Sequence, residues 1–193
     1  MSHRAIPRLH LISDRRQCPL DRFPSVARAA IAAGFDAVHL RAKDLPAGEL
    51  LAAARALTRS VGDAAAVVVN DRVDVALIAG ATGVQLGEAA LSPRDVRALA
   101  GERLLIGRSV HDPAGAAQAA AEGADFVIAG HVYPTGSKPG QAARGLAFLA
   151  TVAAASPVPV IAVGGITPDR VPEVLAAGAY GVAVISGVLA APD

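Results

Sequence analysis

The stretch EGADFVIA, residues 122–129, ends a helical run, turns on a glycine and starts an apolar strand. It has three counterparts along the chain: AGFDAVHL at 33–40, AGATGVQL at 79–86 and AGAYGVAV at 177–184. Each is a helix end, a tight turn and a strand start, so one βα unit is being repeated. Repetition of that unit fits a closed barrel better than an open sheet, which reverses its strand order once. A dinucleotide-binding sheet has less support, because no GxGxxG follows the first apolar run.

Outward from these repeats, apolar runs alternate with alanine-rich helical stretches. Strands are expected at Arg8–Ser13, Ala37–Arg41, Ala66–Asn70, Gly83–Leu86, Leu104–Ser109, Phe126–Gly130, Val160–Val163 and Gly181–Ser186. Helices are expected at Ser25–Ala33, Ala47–Arg59, Val73–Ala79, Pro93–Ala100, Pro113–Glu122, Leu146–Ala155 and Asp169–Ala177, with a last turn at Gly187–Ala190. Short β-branched runs between helices predict parallel strands covered on both faces. Ser92-Pro93 and Asp112-Pro113 each place an N-cap before a proline at the first helical position. The fold class read from this pattern is α/β, a (β/α)8 TIM barrel occupying residues 1–193 as one domain.

Composition narrows the function classes. The chain has 193 residues, 53% of them apolar, yet no apolar run approaches the roughly 18 residues of a membrane span. The N-terminal MSHRAIPRLHLISDRR lacks the long apolar segment of a secretory signal. A net charge of +1 gives no reason to expect nucleic acid or an anionic membrane as partner. Cys18 is the sole cysteine, which excludes an internal disulfide, argues against structural zinc and makes a cytoplasmic setting the default. A homo-oligomer is left open, since small barrels often bury apolar helix faces between subunits.

In a TIM barrel the loops after the strands carry the chemistry. Those positions hold Asp14-Arg15, Arg41 and Lys43, Asn70-Asp71-Arg72, Glu88, Arg108-Ser109, His131 and Lys138. The segments VIAVGGIT and GVAVISG end the last two strands, where barrels frequently bind phosphate. Glycine amides approach an anion closely, so Gly164, Gly165, Ile185 and Ser186 are read as a phosphate site, the bland reading being a tight turn. Strand alternation puts His39 on the face of Arg41, just beneath it. Asn70-Asp71 can bind a cation, orient a hydroxyl or cap the helix near Val73. His131 directly follows an apolar strand, in FVIAGHVYPTGSK at 126–138, and can take and return a proton near neutrality. His3, in a tail, and His10, near the start of the first strand, are assigned no role; His111 is left between a structural and a functional one.

Taken together, HLRAKD at 39–44, VNDRVDVAL at 69–77, GVQLGE at 83–88, IGRSVH at 106–111, GADFVIAGHVYPTGSK at 123–138, VIAVGGIT at 160–167 and GVAVISG at 181–187 resemble the thiamine-phosphate synthase and thiazole tautomerase superfamily. That resemblance covers nearly the whole chain and implies a (β/α)8 barrel. The synthase branch joins a pyrimidine diphosphate to a thiazole phosphate and expels pyrophosphate with magnesium; the tautomerase branch aromatises a carboxylated thiazole phosphate without a metal. Asp71 matches a synthase magnesium ligand, but Ala90 stands where a second acidic ligand is implied, and His39 where the synthase typically has glutamine. His131 after Gly130 resembles the tautomerase pattern, in which that histidine is the implied proton shuttle. The expectation is therefore a thiazole tautomerase-like isomerase acting on a thiazole phosphate without a cofactor. His131 would be catalytic, and His39, Arg41, Lys43, Asn70, Ser109 and Lys138 substrate-binding. The alternatives are a thiamine-phosphate synthase with magnesium at Asp71, and a non-catalytic barrel that binds a phosphorylated ligand.

Overall fold

The computed structural model describes residues 5–138 and 140–191; His3 lies outside them. Four strands build the first half: β1 Leu9–Ile12, β2 Ala37–Leu40, β3 Ala66–Asn70 and β4 Gly83–Leu86. The second half comprises β5 Leu105–Val110, β6 Phe126–Gly130, β7 Val160–Val163 and β8 Gly181–Val184. Between them run α1 Phe23–Ala32, α2 Ala47–Val61, α3 Val73–Ala79, α4 Pro93–Ala100, α5 Pro113–Ala121, α6 Gly145–Ala155 and α7 Val171–Ala176. A short α8, Ser186–Leu189, follows β8. The strands pair in parallel in sequence order and β8 returns to β1, closing the barrel. Among the described residues no helix is long and apolar enough to cross a membrane.

The repeat has a physical purpose at the lower rim. Its fourth residue accepts a backbone amide from the preceding odd-numbered strand in three of the copies. Asp36 takes the N–H of Leu9 at 2.7 Å, Thr82 that of Val67 at 3.1 Å and Asp125 that of Ile106 at 2.7 Å. These amides would otherwise be unpaired where the strands begin. Both expected N-caps are present: Ser92 Oγ accepts from Asp95 N at 3.1 Å, and Asp112 Oδ1 from Gly115 N at 2.7 Å. Asp71 is not the cap of α3, which has none from a side chain.

Several boundaries differ from expectation. α1 starts two residues before Ser25 because Pro24, without an N–H to satisfy, suits its first turn. The helix expected from Asp169 divides into a 3-10 turn at Pro168–Arg170 and α7, each with a proline at its start. β5 spans Leu105–Val110, one residue later than read. Ser186, read as the end of a strand, is the first residue of α8.

Alternation along the strands divides the core. Outward residues such as Leu11, Val38, Val69, Val84 and Ile106 pack beneath α1–α4, while Val127, Ala129, Val160 and Ala162 pack beneath α5–α7. Inside the barrel Ile12, Leu105, Phe126, Ile128, Ile161 and Ala183 form a smaller cluster. Phe126 closes the interior through a missing side chain: a Cβ on Gly107 would lie 2.4 Å from its ring and 2.2 Å from Gln85 Oε1. Glycine is required there by close approach, not by a turn.

Candidate active site

A cavity of about 480 Å³ opens at the C-terminal ends of the strands. His39, Arg41, Lys43, Asn70, Ser109, His131, Lys138, Gly164, Gly165, Ile185 and Ser186 all line it. These residues span more than 140 positions in sequence, and barrel closure brings them together. Asp71 stands at the rim, reached by Lys43. Sequence reasoning missed Gln85, Ile12, Ile128, Thr167 and Arg170, which also line the cavity. Gln85 could have been found by strand parity, since it lies on β4 two residues from the inward-facing Gly83.

On the floor, His39 is 2% exposed and its Nε2 lies 2.8 Å from Nδ1 of His10, which is completely buried. His10, assigned no role from the sequence, lies against His39 because β1 and β2 pair Ile12 with His39, which brings the two rings side by side. Burial pushes the pKa of His39 well below the ordinary histidine value, and the neighbouring His10 lowers it further. His10 is also lowered by burial, and is partly restored by a hydrogen bond to the Pro7 carbonyl and by the charge of Asp36. Both rings are therefore neutral at physiological pH.

Beside them, Gln85 Nε2 donates to Ser109 Oγ at 3.1 Å, while Asn70 Nδ2 is buried without a partner among the described residues. The other two histidines at the mouth are oriented by carbonyls. His111 Nδ1 donates to Gly130 O at 3.1 Å and its Nε2 lies 3.4 Å from Glu88 Oε1. His131, 5% exposed, places Nε2 3.2 Å from Gln141 O. A carbonyl can only accept, so Nε2 carries the proton; Nδ1 is buried and unpaired among the described residues.

The glycine loop after β7 is braced from below. Arg170 donates to the Gly165 carbonyl at 2.7 Å, and its guanidinium lies 4.4 Å from the centre of the Tyr133 ring. Tyr133 in turn donates to Glu173. Gly164 and Gly165 have φ of 103° and 63°. A Cβ on Gly165 would meet Pro134 O at 2.4 Å, so this turn admits glycine alone.

Magnesium, implied by resemblance to the synthases, finds an incomplete donor set. Asp71 Oδ1 accepts the Gly87 N–H at 2.7 Å and Oδ2 pairs with Lys43 Nζ at 3.1 Å. Those contacts hold Asp71 at φ 60°, uncommon for a residue with a side chain. Ala90 offers no donor and Glu88 faces His111. Among the described residues no group of three or more His, Cys, Asp or Glu side chains could hold a metal ion. The residues present do not fit a carboxylate-held magnesium ion.

With this geometry in hand, comparison with known proteins identifies the lineage. The family model described as thiamine monophosphate synthase matches residues 9–188. A thiamine-phosphate synthase from Methanoculleus marisnigri is 47% identical over 173 residues, covering 87% of this chain and 81% of that protein. One from Anaeromyxobacter dehalogenans is 48% identical over 168 residues, covering 86% of this chain and 76% of that protein. Among solved structures, a thiamine phosphate pyrophosphorylase from Pyrococcus furiosus superposes with a TM-score of 0.86 at 36% identity, covering 96% of this chain and 89% of that one. These findings correct the expectation of a thiazole tautomerase-like isomerase: the similar proteins carry the name of the synthase, a transferase, and none of these likenesses favours the tautomerase branch. By family model and by identity along most of its length, the chain belongs to the thiamine monophosphate synthase family.

Proposed function

We propose that this protein is a thiamine-phosphate synthase built on one barrel domain, joining a pyrimidine diphosphate to a thiazole phosphate with release of pyrophosphate. The observation that carries the reading is the 47–48% identity to synthases over most of the chain. The cavity supports it in two respects. It has cationic side chains at its mouth, Arg41, Lys43 and Lys138, and a glycine-lined wall after β7 and β8. Two phosphorylated substrates need two such anion-receiving regions.

In this reading Arg41, Lys43 and Lys138 receive the diphosphate, and the backbone of Gly164, Gly165, Ile185 and Ser186 receives the thiazole's phosphate. His39, Asn70 and Ser109 hydrogen-bond the ring on the floor. The thiazole nitrogen forms its bond to the exocyclic carbon of the pyrimidine as the carbon–oxygen bond to pyrophosphate breaks. The product nitrogen is quaternary, so the step moves no proton. His131, expected as a proton shuttle, instead offers Nδ1 as a hydrogen-bond acceptor beside the reacting groups. The cations at the mouth stabilise charge that develops on the leaving diphosphate.

The test is incubation of purified protein with both substrates, with and without added magnesium, followed by measurement of thiamine phosphate and pyrophosphate in equal amounts. Tight binding of either substrate with no product under both conditions would replace this reading with that of a non-catalytic binding barrel.

A further inference from the structure

The histidines on the cavity floor have a definite hydrogen-bond direction. His10 Nε2 lies 2.9 Å from the Pro7 carbonyl, which can only accept, so the proton of a neutral His10 resides on Nε2. Its Nδ1 is then a bare lone pair. That lone pair is 2.8 Å from His39 Nε2, so His39 must be the donor and carry its own proton on Nε2. The Nδ1 of His39 is left as an acceptor, without a partner among the described residues, on a side chain that lines the cavity. On the neighbouring strand Asn70 Nδ2 is a buried donor, also without a partner. Ile12, Ile128 and Ala183 supply apolar surface to the same cavity.

We infer that His10 is a positioning residue that fixes His39 as a hydrogen-bond acceptor, and that this acceptor, with the Asn70 donor, selects a flat ring carrying an exocyclic amino group beside a lone-pair nitrogen. The substrate class rests on the synthase reading above; the proton order along Pro7, His10 and His39 does not. An amino group donates where His39 accepts, and the adjacent ring nitrogen accepts where Asn70 donates. A ring with a methyl or a carbonyl in place of the amino group leaves His39 Nδ1 buried and unpaired, which is the costly arrangement. The device reads polarity through a residue that never touches the ligand.

Uniformly 15N-labelled protein tests it first. Long-range proton–nitrogen spectra at neutral pH are expected to show His39 as a neutral ring protonated at Nε2. His10→Asn should preserve this, because the Asn amide oxygen can occupy the place of Nδ1, whereas His10→Leu should release the tautomer. Addition of 4-aminopyrimidine should shift the His39 Nδ1 resonance, and 4-methylpyrimidine should not. In turnover, His10→Leu should raise KM for the pyrimidine diphosphate about tenfold, the value of one hydrogen bond, with kcat little changed, and His10→Asn should restore it.

A wild-type His39 protonated at Nδ1 overturns the inference, and so does a response that does not distinguish the two pyrimidines. An unchanged KM in a folded His10→Leu protein, or a failure of His10→Asn to restore it, also overturns it. If His10→Leu does not fold, the wild-type spectra and the two pyrimidine probes decide alone. Absence of turnover alongside the expected spectra would overturn the synthase reading and leave the proton order standing.

Discussion

Two buried neutral histidines make this barrel sensitive to mild acid, by an amount that can be worked out. His10 and His39 are lowered from the ordinary value of 6.5, His39 strongly, with burial the leading cause for both. Below about pH 6.5 the unfolded chain binds protons at both sites while the native state does not, so stability falls as pH falls. For a site neutral throughout in the native state, moving from about pH 7.5 to about pH 5.5 costs roughly 1 kcal/mol. Two such sites set an upper bound of roughly 3 kcal/mol, a sizeable part of the stability of a domain. Asp36, whose charge favours protonated His10, trims this figure.

The assay is urea unfolding followed by far-UV circular dichroism at a series of pH values, since the chain has no tryptophan to report by fluorescence. Wild-type stability is expected to drop across that interval by up to roughly 3 kcal/mol. In His10→Asn one titrating group is gone, and the drop should shrink by the smaller, His10 share while the His39 share remains. Stability that is level or rises between about pH 7.5 and about pH 5.5 would refute the assignment of both rings as neutral.

Three further outcomes follow from particular contacts. Gly165→Ala places a Cβ against Pro134 O and Tyr133 Cβ at φ 63°, so it should cost about 2 kcal/mol in urea unfolding and weaken inorganic phosphate binding about tenfold by calorimetry. Ser92→Ala removes the cap on the Asp95 amide and should lower stability by about 1 kcal/mol, read as a shift in urea midpoint at constant slope. Asp14 is held down to about 2, chiefly by its hydrogen bonds from Arg16. Because the Arg16 side chain is 66% exposed, Asp14→Asn should cost only about 1 kcal/mol at neutral pH. A depressed carboxylate stabilises above its ordinary pKa, so this difference should vanish as pH falls from about 4 through about 2.

The barrel was legible because each repeat carries its own evidence: a helix stop, a turn and a strand start, with a polar residue just before the strand pinning the previous one in three of the four copies. Asp36, Thr82 and Asp125 do the same work at three places. The mouth was legible from the strand ends, which carry Asn70 and Ser109, and from parity, which sets His39 beneath Arg41; all of them line the cavity. His10 was not legible, since its significance depends on a partner 29 residues away that only strand register supplies. The enzyme branch was misread from His131, His39 and Ala90. A few mouth positions change with little effect on the scaffold, whereas 47% identity over 173 residues integrates the whole chain. Helix ends were misplaced where proline could begin a turn earlier than the apolar pattern suggested, as at Pro24.

The interior of the barrel is unequal on its two sides, and that inequality orients whatever binds. β1 to β5 contribute the polar His10, His39, Asn70, Gln85 and Ser109 beside the apolar Ile12 and Leu105. β6 to β8 contribute Phe126, Ile128, Ile161 and Ala183. Phe126, filling the space that Gly107 leaves, stops the cavity from running deeper and lies against His10 at 5.7 Å between ring centres. In the synthase reading proposed above, a flat ring resting above it would turn its polar edge toward β2 and β3 and its hydrophobic edge toward β6 and β8. Its substituents then rise toward the cations and glycine amides at the mouth. Replacing the polar half with apolar residues would relieve the acid sensitivity of the fold and, in the reading proposed above, remove the edge that orients the ring, so the same two histidines that limit stability would also direct binding.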